Sequence, residues 1–292
     1  MPADKKTSAT SAHHMSSPYN RESAAGSTRQ RTGPGHEPTY VTLATRPTSE
    51  FGLYYCSLSR RLLGRGTAHE ILECIDILRS KGGFYSMNVD IVCKSDEPDL
   101  PKTVVASRLE AVTFNGNNSN PDEQTELQKL LNVLHAPDLK KASILRPGNS
   151  TGVFERAVYD FLMRAGESEE LTLVILSMKC CYRSGLTDYL RSSAAGNLVS
   201  LFLQTNAYVE AEVLSVLPHK LWLSSLKKLV LRNADNIDPD YLLEALEKRH
   251  QGGLSKLRSV KITATKGLSA RTIARGRAIG IEIEAFHSLY KI

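Results

Sequence analysis

One six-residue pattern, Leu-x-x-Leu-x-Leu with Val, Ile, Ala or Phe as substitutes, recurs through the second half of this 292-residue chain. Copies begin at Leu109, Leu139, Leu171, Leu198, Leu226 and Leu257, with a weaker one at Ala278. Their spacings are 30, 32, 27, 28, 31 and 21 residues. The fourth and sixth positions are apolar with a variable residue between them, the two-residue alternation of a strand. A strand recurring at this interval is the mark of a repeat architecture, in which each unit buries its apolar side only against its neighbours.

The segments between the strands have helical spacing. Residues 121–135 place Leu127, Leu130, Leu131 and Leu134 on one side, residues 153–164 do so with Val153, Val158, Phe161 and Leu162, and residues 238–249 with Leu242, Leu243 and Leu246. Two of these helices start alike, with Asn120-Pro121-Asp122 and Asp238-Pro239-Asp240. In each, the Asn or Asp side chain can take the free amides, and Pro stands at the first helical position, where its missing N–H costs nothing.

Strand–helix units imply a parallel sheet with right-handed crossovers. A doubly wound sheet buries both faces of its strands, which then read as continuous apolar runs. Here the variable positions carry Glu110, Lys140, Lys141, Lys227, Lys228, Arg258 and Lys261, too much charge to lie under a second helical layer. The expected fold class is therefore α/β, a leucine-rich-repeat solenoid or horseshoe with parallel strands on the concave face and helices outside.

The repeat domain is expected over residues 51–292, clearest from Leu109. Residues 67–80 read as an amphipathic helix on Ile71, Leu72, Ile75 and Leu78, opened by a Thr67/Glu70 capping box and ended by Gly82-Gly83. Met87–Cys93 alternates as a strand, and residues 94–106 read as an irregular connection. Residues 1–50, rich in Ser, Thr, Gly and Pro and without either period, read as a disordered tail. That tail keeps the apolar share of the chain at 41 %.

A formal charge of +6 without a clustered patch makes nucleic acid an unexpected partner. The five cysteines, Cys56, Cys74, Cys93, Cys180 and Cys181, are odd in number and include no C-x2-C pair, so they read as reduced thiols of a cytoplasmic or nuclear protein. No apolar run is long enough for a membrane span, and no signal-peptide core opens the chain.

Motifs for cofactor or metal chemistry are missing: there is no P-loop, no G-x-G-x-x-G after a strand, no H-E-x-x-H and no EF-hand loop, so no cofactor is expected. Leu63-Gly64-Arg65-Gly66-Thr67 reads as a loop. Gly148-Asn149-Ser150-Thr151-Gly152 matches G-x-S-x-G between a strand and a helix, so a serine hydrolase using Ser150 is the alternative function. The plainer reading is that Ser150 or Thr151 caps the following helix.

The favoured reading is a surface. The variable strand positions give Lys140 and Lys141 early and Lys227, Lys228, Arg232, Arg258 and Lys261 late, with Leu173, Ile175, Val199 and Phe202 between them. An apolar centre inside a basic border has the composition of a protein-binding site, so a non-enzymatic module that captures a protein with an acidic surface is expected.

Leu226-Lys-Lys-Leu-Val-Leu-Arg-Asn, Asp238-Pro-Asp-Tyr-Leu-Leu-Glu-Ala-Leu and Leu257-Arg-Ser-Val-Lys-Ile resemble the leucine-rich-repeat region of fungal F-box-type proteins, built like the ribonuclease-inhibitor solenoid. Ile77-Leu-Arg-Ser-Lys-Gly-Gly with Met87-Asn-Val-Asp-Ile is similar to the segment that opens such repeats, and the resemblance spans roughly residues 65–292. It implies a substrate adaptor docking on a ubiquitin-ligase adaptor. Residues 1–66 hold no Leu-Pro-x-Glu-like F-box start, so the expectation is an F-box-like adaptor that has lost its F-box.

Overall fold

The computed structural model describes residues 40–42, 52–80, 82–94, 100–116, 120–179, 183–204, 206–219, 221–251, 255–264 and 268–287. Its strands are β1 (Tyr40–Thr42), β2 (Leu53–Cys56), β3 (Arg61–Gly66), β4 (Ser86–Ile91), β5 (Val104–Val105), β6 (Ala111–Asn115), β7 (Leu134–His135), β8 (Lys141–Asn149), β9 (Leu173–Lys179), β10 (Ser200–Gln204), β11 (Lys228–Arg232), β12 (Ser259–Ala264) and β13 (Glu282–His287). The helices are α1 (Ala68–Ser80), α2 (Pro121–Val133), α3 (Gly152–Gly166), α4 (Arg183–Arg191), α5 (Ser193–Gly196), α6 (Ala207–Val216), α7 (Pro239–Gln251) and α8 (Ala270–Ala278).

The chain forms a mixed α/β fold around one open eleven-stranded sheet, ordered β1-β2-β3-β4-β6-β8-β9-β10-β11-β12-β13. Only β1–β2 and β2–β3 are antiparallel; every later neighbour is parallel. Strand order equals chain order, and the helices pack in that same order, α1 on α2, α2 on α3, α3 on α4 and α5, α4 on α6, α6 on α7 and α7 on α8. They therefore make one layer. Burial alternates along the strands: Val112 and Phe114 in β6, Leu201 and Leu203 in β10, and Val260, Ile262 and Ala264 in β12 are buried, while the residues between them are half-exposed. The buried set joins the helix leucines in a single core.

Register makes Leu62, Met87, Val112, Ala142, Val174, Leu201, Leu229, Val260 and Ile283 equivalent, at intervals of 25, 25, 30, 32, 27, 28, 31 and 23 residues. The repeated unit thus starts earlier than the sequence pattern, at β3. The segment read as a loop, Leu63 to Thr67, is mostly strand. Its glycines disguise it. Gly64 has φ +128°, and a Cβ there would lie 2.0 Å from the carbonyl oxygen of Gly52, just before β2, so the close antiparallel crossing requires glycine.

The last copy shifts by two residues. Ile283 lies opposite Val260 and Ala285 opposite Ile262, where the pattern had set Ile281 and Ile283. Helix α8 runs through Ala278 and turns at left-handed Gly280, which delays the strand. Val153, expected on the buried side of its helix, is 64 % exposed, and Phe154 is buried instead. Strand β1 falls within the segment read as a tail; the remainder of residues 1–50 lies outside the described residues, as do Cys180 and Cys181.

The caps form as their residues dictate. Thr67 and Glu70 bond reciprocally, the Glu70 amide to Thr67 Oγ1 at 3.2 Å and the Thr67 amide to Glu70 Oε2 at 3.1 Å. Asn120 accepts from the Asp122 amide at 2.9 Å and Asp238 from the Asp240 amide at 2.8 Å. Gly82 and Gly83 are left-handed, and the Gly83 amide reaches the Leu78 carbonyl at 2.8 Å to close α1.

Candidate functional site

The side of the sheet away from the helices is built from every second strand residue. Across β6, β8, β9, β10 and β11 it presents three rows. Ala111, Lys141, Leu173, Ser200 and Lys228 form the first, and Thr113, Ser143, Ile175, Phe202 and Val230 the second. Asn115, Leu145, Ser177, Gln204 and Arg232 form the third. Three of these residues are cationic and none is anionic. Val230, 7 % exposed, is the most sheltered, and Ser177 Oγ donates to Gln204 Oε1 at 2.7 Å.

Of the residues expected to bind a partner, Lys141, Leu173, Ile175, Phe202, Lys228, Arg232 and Lys261 stand on this face. The others, Lys140, Val199, Lys227 and Arg258, stand one step before the strands, along a rim with its own hydrogen-bond pattern. From Glu110 to Lys227 each rim carbonyl accepts two amides from the next unit, and that of Arg258 accepts one, from Glu282. Glu110 takes Lys140 and Lys141 at 2.8 and 2.9 Å, Lys140 takes Thr172 and Leu173, Thr172 takes Val199 and Ser200, and Val199 takes Lys227 and Lys228.

The basic border is narrower than its composition implies. Lys140 Nζ pairs with Glu110 at 3.1 Å, and Lys261 Nζ with Glu284 on β13 at 2.5 Å. Arg258 turns back on the carbonyls of Ser255 and Leu257, at 3.4 and 3.5 Å. Lys141 and Lys228, by contrast, have no carboxylate partner among the described residues. Lys228 Nζ lies 5.3 Å from the centre of the Phe202 ring, a cation–π contact that draws the amine toward the apolar centre. Val230 and the Glu284 partner of Lys261 escaped the sequence reading. Val230 falls in the strand row facing away from the leucines, so the period of two could have found it.

Ser150 sits between β8 and α3, as its motif requires. It is 8 % exposed, and its hydroxyl donates to Glu155 Oε1 at 2.5 Å in the first turn of the helix. Thr151 is the cap, accepting from the Phe154 amide at 3.3 Å. Ser150 is not among the residues with left-handed backbone, whereas a hydrolase elbow is sharply strained.

Cys56, Cys74 and Cys93 are free thiols. Burial, with Glu73 and Glu70 nearby, pushes Cys74 up to about 12. Hydrogen bonds from Ser59 hold Cys56 below the usual thiol range. A cavity of about 300 Å³ opens at the carboxyl ends of β3, β4 and β6 between Arg65, Asp90, Asn115 and Glu123. Another of about 260 Å³ lies beside α1 between His69, Glu73, Asp76 and Val104. No cluster of His, Cys, Asp or Glu among the described residues could hold a metal, and no described helix is long and apolar enough to cross a membrane. No protein-family model matches the chain, and no curated protein matches it significantly.

Proposed function

We propose that this chain is a leucine-rich-repeat module of horseshoe form, with helices outside and the open sheet face on the concave side, and that this face captures another protein without catalysing a reaction. The fold part of the reading is supported by parallel strands in chain order, equivalent apolar positions at 23–32-residue intervals and one layer of helices. The function part rests on one observation: across five strands the open face carries Lys141, Lys228 and Arg232, no anion, and a continuous apolar centre of Leu173, Ile175, Phe202 and Val230. Apolar side chains left on one sheet face beside cations have the composition of an interface core and its border.

An adaptor of the F-box type that lacks its F-box fits this reading, as does residence in the cytoplasm or nucleus, where the thiols stay reduced. The experiment is a pull-down from the source cell with the wild-type chain and with Phe202→Ser/Lys228→Glu. Loss of the cation–π contact leaves the melting temperature within about 4 °C of wild type, while partner capture is abolished. Equal capture by both chains would remove the open face from the function. Labelling by a fluorophosphonate probe that disappears in Ser150→Ala would overturn the non-enzymatic reading.

A further inference from the structure

We propose that the open face of β8–β11 receives an extended acidic peptide running across the strands, with the order acid, spacer, apolar, spacer, acid. The proposal rests on the protein-binding reading of this face and specifies what it binds.

The geometry comes from Lys141 and Lys228. They occupy the same row, Lys141 opposite Leu173, Leu173 opposite Ser200 and Ser200 opposite Lys228, so three strand steps separate them. At about 4.8 Å per step their backbones stand about 14 Å apart. An extended chain advances about 3.4 Å per residue and sends alternate side chains to the same side. Its residues i and i+4 are therefore about 13–14 Å apart and face the sheet together, with residue i+2 midway between them. The midpoint falls between β9 and β10, where Leu173, Ile175 and Phe202 form the apolar centre. Two carboxylates can meet the two amines while an apolar side chain enters between them.

Charge supports the same occupant. Lys140 and Lys261 are already neutralised by Glu110 and Glu284, whereas Lys141 and Lys228 lack carboxylate partners among the described residues. Ser143 and Ser200, half-exposed beside the apolar centre, can bond the peptide backbone. A nucleic acid would need a longer basic track and open stacking surfaces. Here the centre is aliphatic except for Phe202, the one aromatic ring in the three rows, which carries the Lys228 amine. An anionic membrane gains little from so few basic groups.

The test uses the full chain and a fluorescein-labelled peptide, Gly-Ser-Glu-Ser-Leu-Ser-Glu-Ser-Gly, followed by anisotropy at low ionic strength. Saturable binding is expected. Exposed pairs are individually weak, and reversal adds repulsion to the lost attraction, so Lys141→Glu and Lys228→Glu should each weaken binding roughly tenfold. The double variant should lose roughly a hundredfold, because the two sites are far enough apart to add. A Lys-Ser-Leu-Ser-Lys core should bind the double variant about as well as the original pair binds. Cores spaced Glu-Leu-Glu or Glu-Ser-Ser-Leu-Ser-Ser-Glu should bind less tightly.

Lack of saturable binding, equal binding of all spacings, or indifference to both reversals would overturn the proposal. So would tighter binding of poly-uridylate or of phosphatidylserine vesicles. If a reversal lowers the melting temperature, Lys141→Gln and Lys228→Gln take its place, with a two- to fivefold loss expected for each. Should the peptide fail while Phe202→Ser/Lys228→Glu still abolishes partner capture, only the peptide assignment falls. Failure of both removes the reading beneath it.

Discussion

Arg249 offers the sharpest test of how this fold is held together. It lies in the last turns of α7, is 1 % exposed, and has no carboxylate against it among the described residues. Its Nη1 instead donates to the carbonyls of Leu217, His219 and Trp222 at 3.0, 3.3 and 3.2 Å, and Nη2 donates to Leu223 at 2.6 Å. Those carbonyls belong to the turn between α6 and β11, and Leu223 is held there with a left-handed φ of +50°. Burial alone lowers the guanidinium pKa from its usual value, so the cation depends on these dipoles.

Arg249→Met keeps much of the apolar stem and deletes the donors. A charge-assisted hydrogen bond contributes roughly 1.5–3 kcal/mol, and the left-handed leucine stores about 1–3 kcal/mol that the clamp must restrain. Against this stand that strain and the cost of burying the cation, several kcal/mol, both relieved by the substitution. A net loss of about 3–5 kcal/mol is expected, because the substitution deletes four such bonds against these two relieved costs. Urea unfolding followed by circular dichroism reads it directly, and hydrogen exchange should show the amides of Ser225 and Leu226 opening first. A loss below about 1 kcal/mol would mean that desolvation of the guanidinium cancels its hydrogen bonds, and the clamp would not be a source of stability.

Leu229, fully buried in β11, should not tolerate charge: Leu229→Asp is expected to lose more than about 4 kcal/mol and with it the cooperative melt. Lys228→Glu, one residue away but on the open face, should melt nearly as wild type; similar melting of Leu229→Asp and wild type would reverse the assignment of faces. Cys74 links stability to alkaline pH. Its thiol is raised from 9.0 to about 12, so the folded state keeps a proton that the unfolded state releases. Its contribution is intact below pH 9 and falls by about 1.4 kcal/mol per pH unit as pH rises toward 12. Cys74→Ala should flatten that slope in urea midpoints measured from pH 8 to 11, and an unchanged slope would refute the link.

Much of the fold is legible because its determinants are local. The leucine pattern carries the strands from β6 onward, and Thr67, Asn120 and Asp238 announce the helix starts they cap. What escaped depends on distant chain. Strand β3 reads as a loop because the reason for Gly64 is the Gly52 carbonyl, just before β2. Nothing near Arg249 in the chain signals its burial, since a cation at a helix end complements the dipole and its acceptors lie 26–32 residues away. The same blindness affects the site. Lys140 and Lys261 look like free border charges until Glu110 and Glu284, on neighbouring units, are seen to hold them. The apolar centre was recoverable from alternation, and Val230 belongs to it by that rule alone.

The rim of paired amides has a mechanical meaning. From Arg60 through Tyr85, Glu110, Lys140, Thr172, Val199 and Lys227, each carbonyl clasps two amides of the unit after it. The clasps are therefore links in series. Tension applied at the ends of the repeats passes through every one, and the weakest junction yields first while the others keep their register. A released unit of 27 residues, such as that from Val174 to Leu201, would add about 90–100 Å of chain. The sheet would lengthen in steps of that size, an extensible spacer whose units come away one at a time.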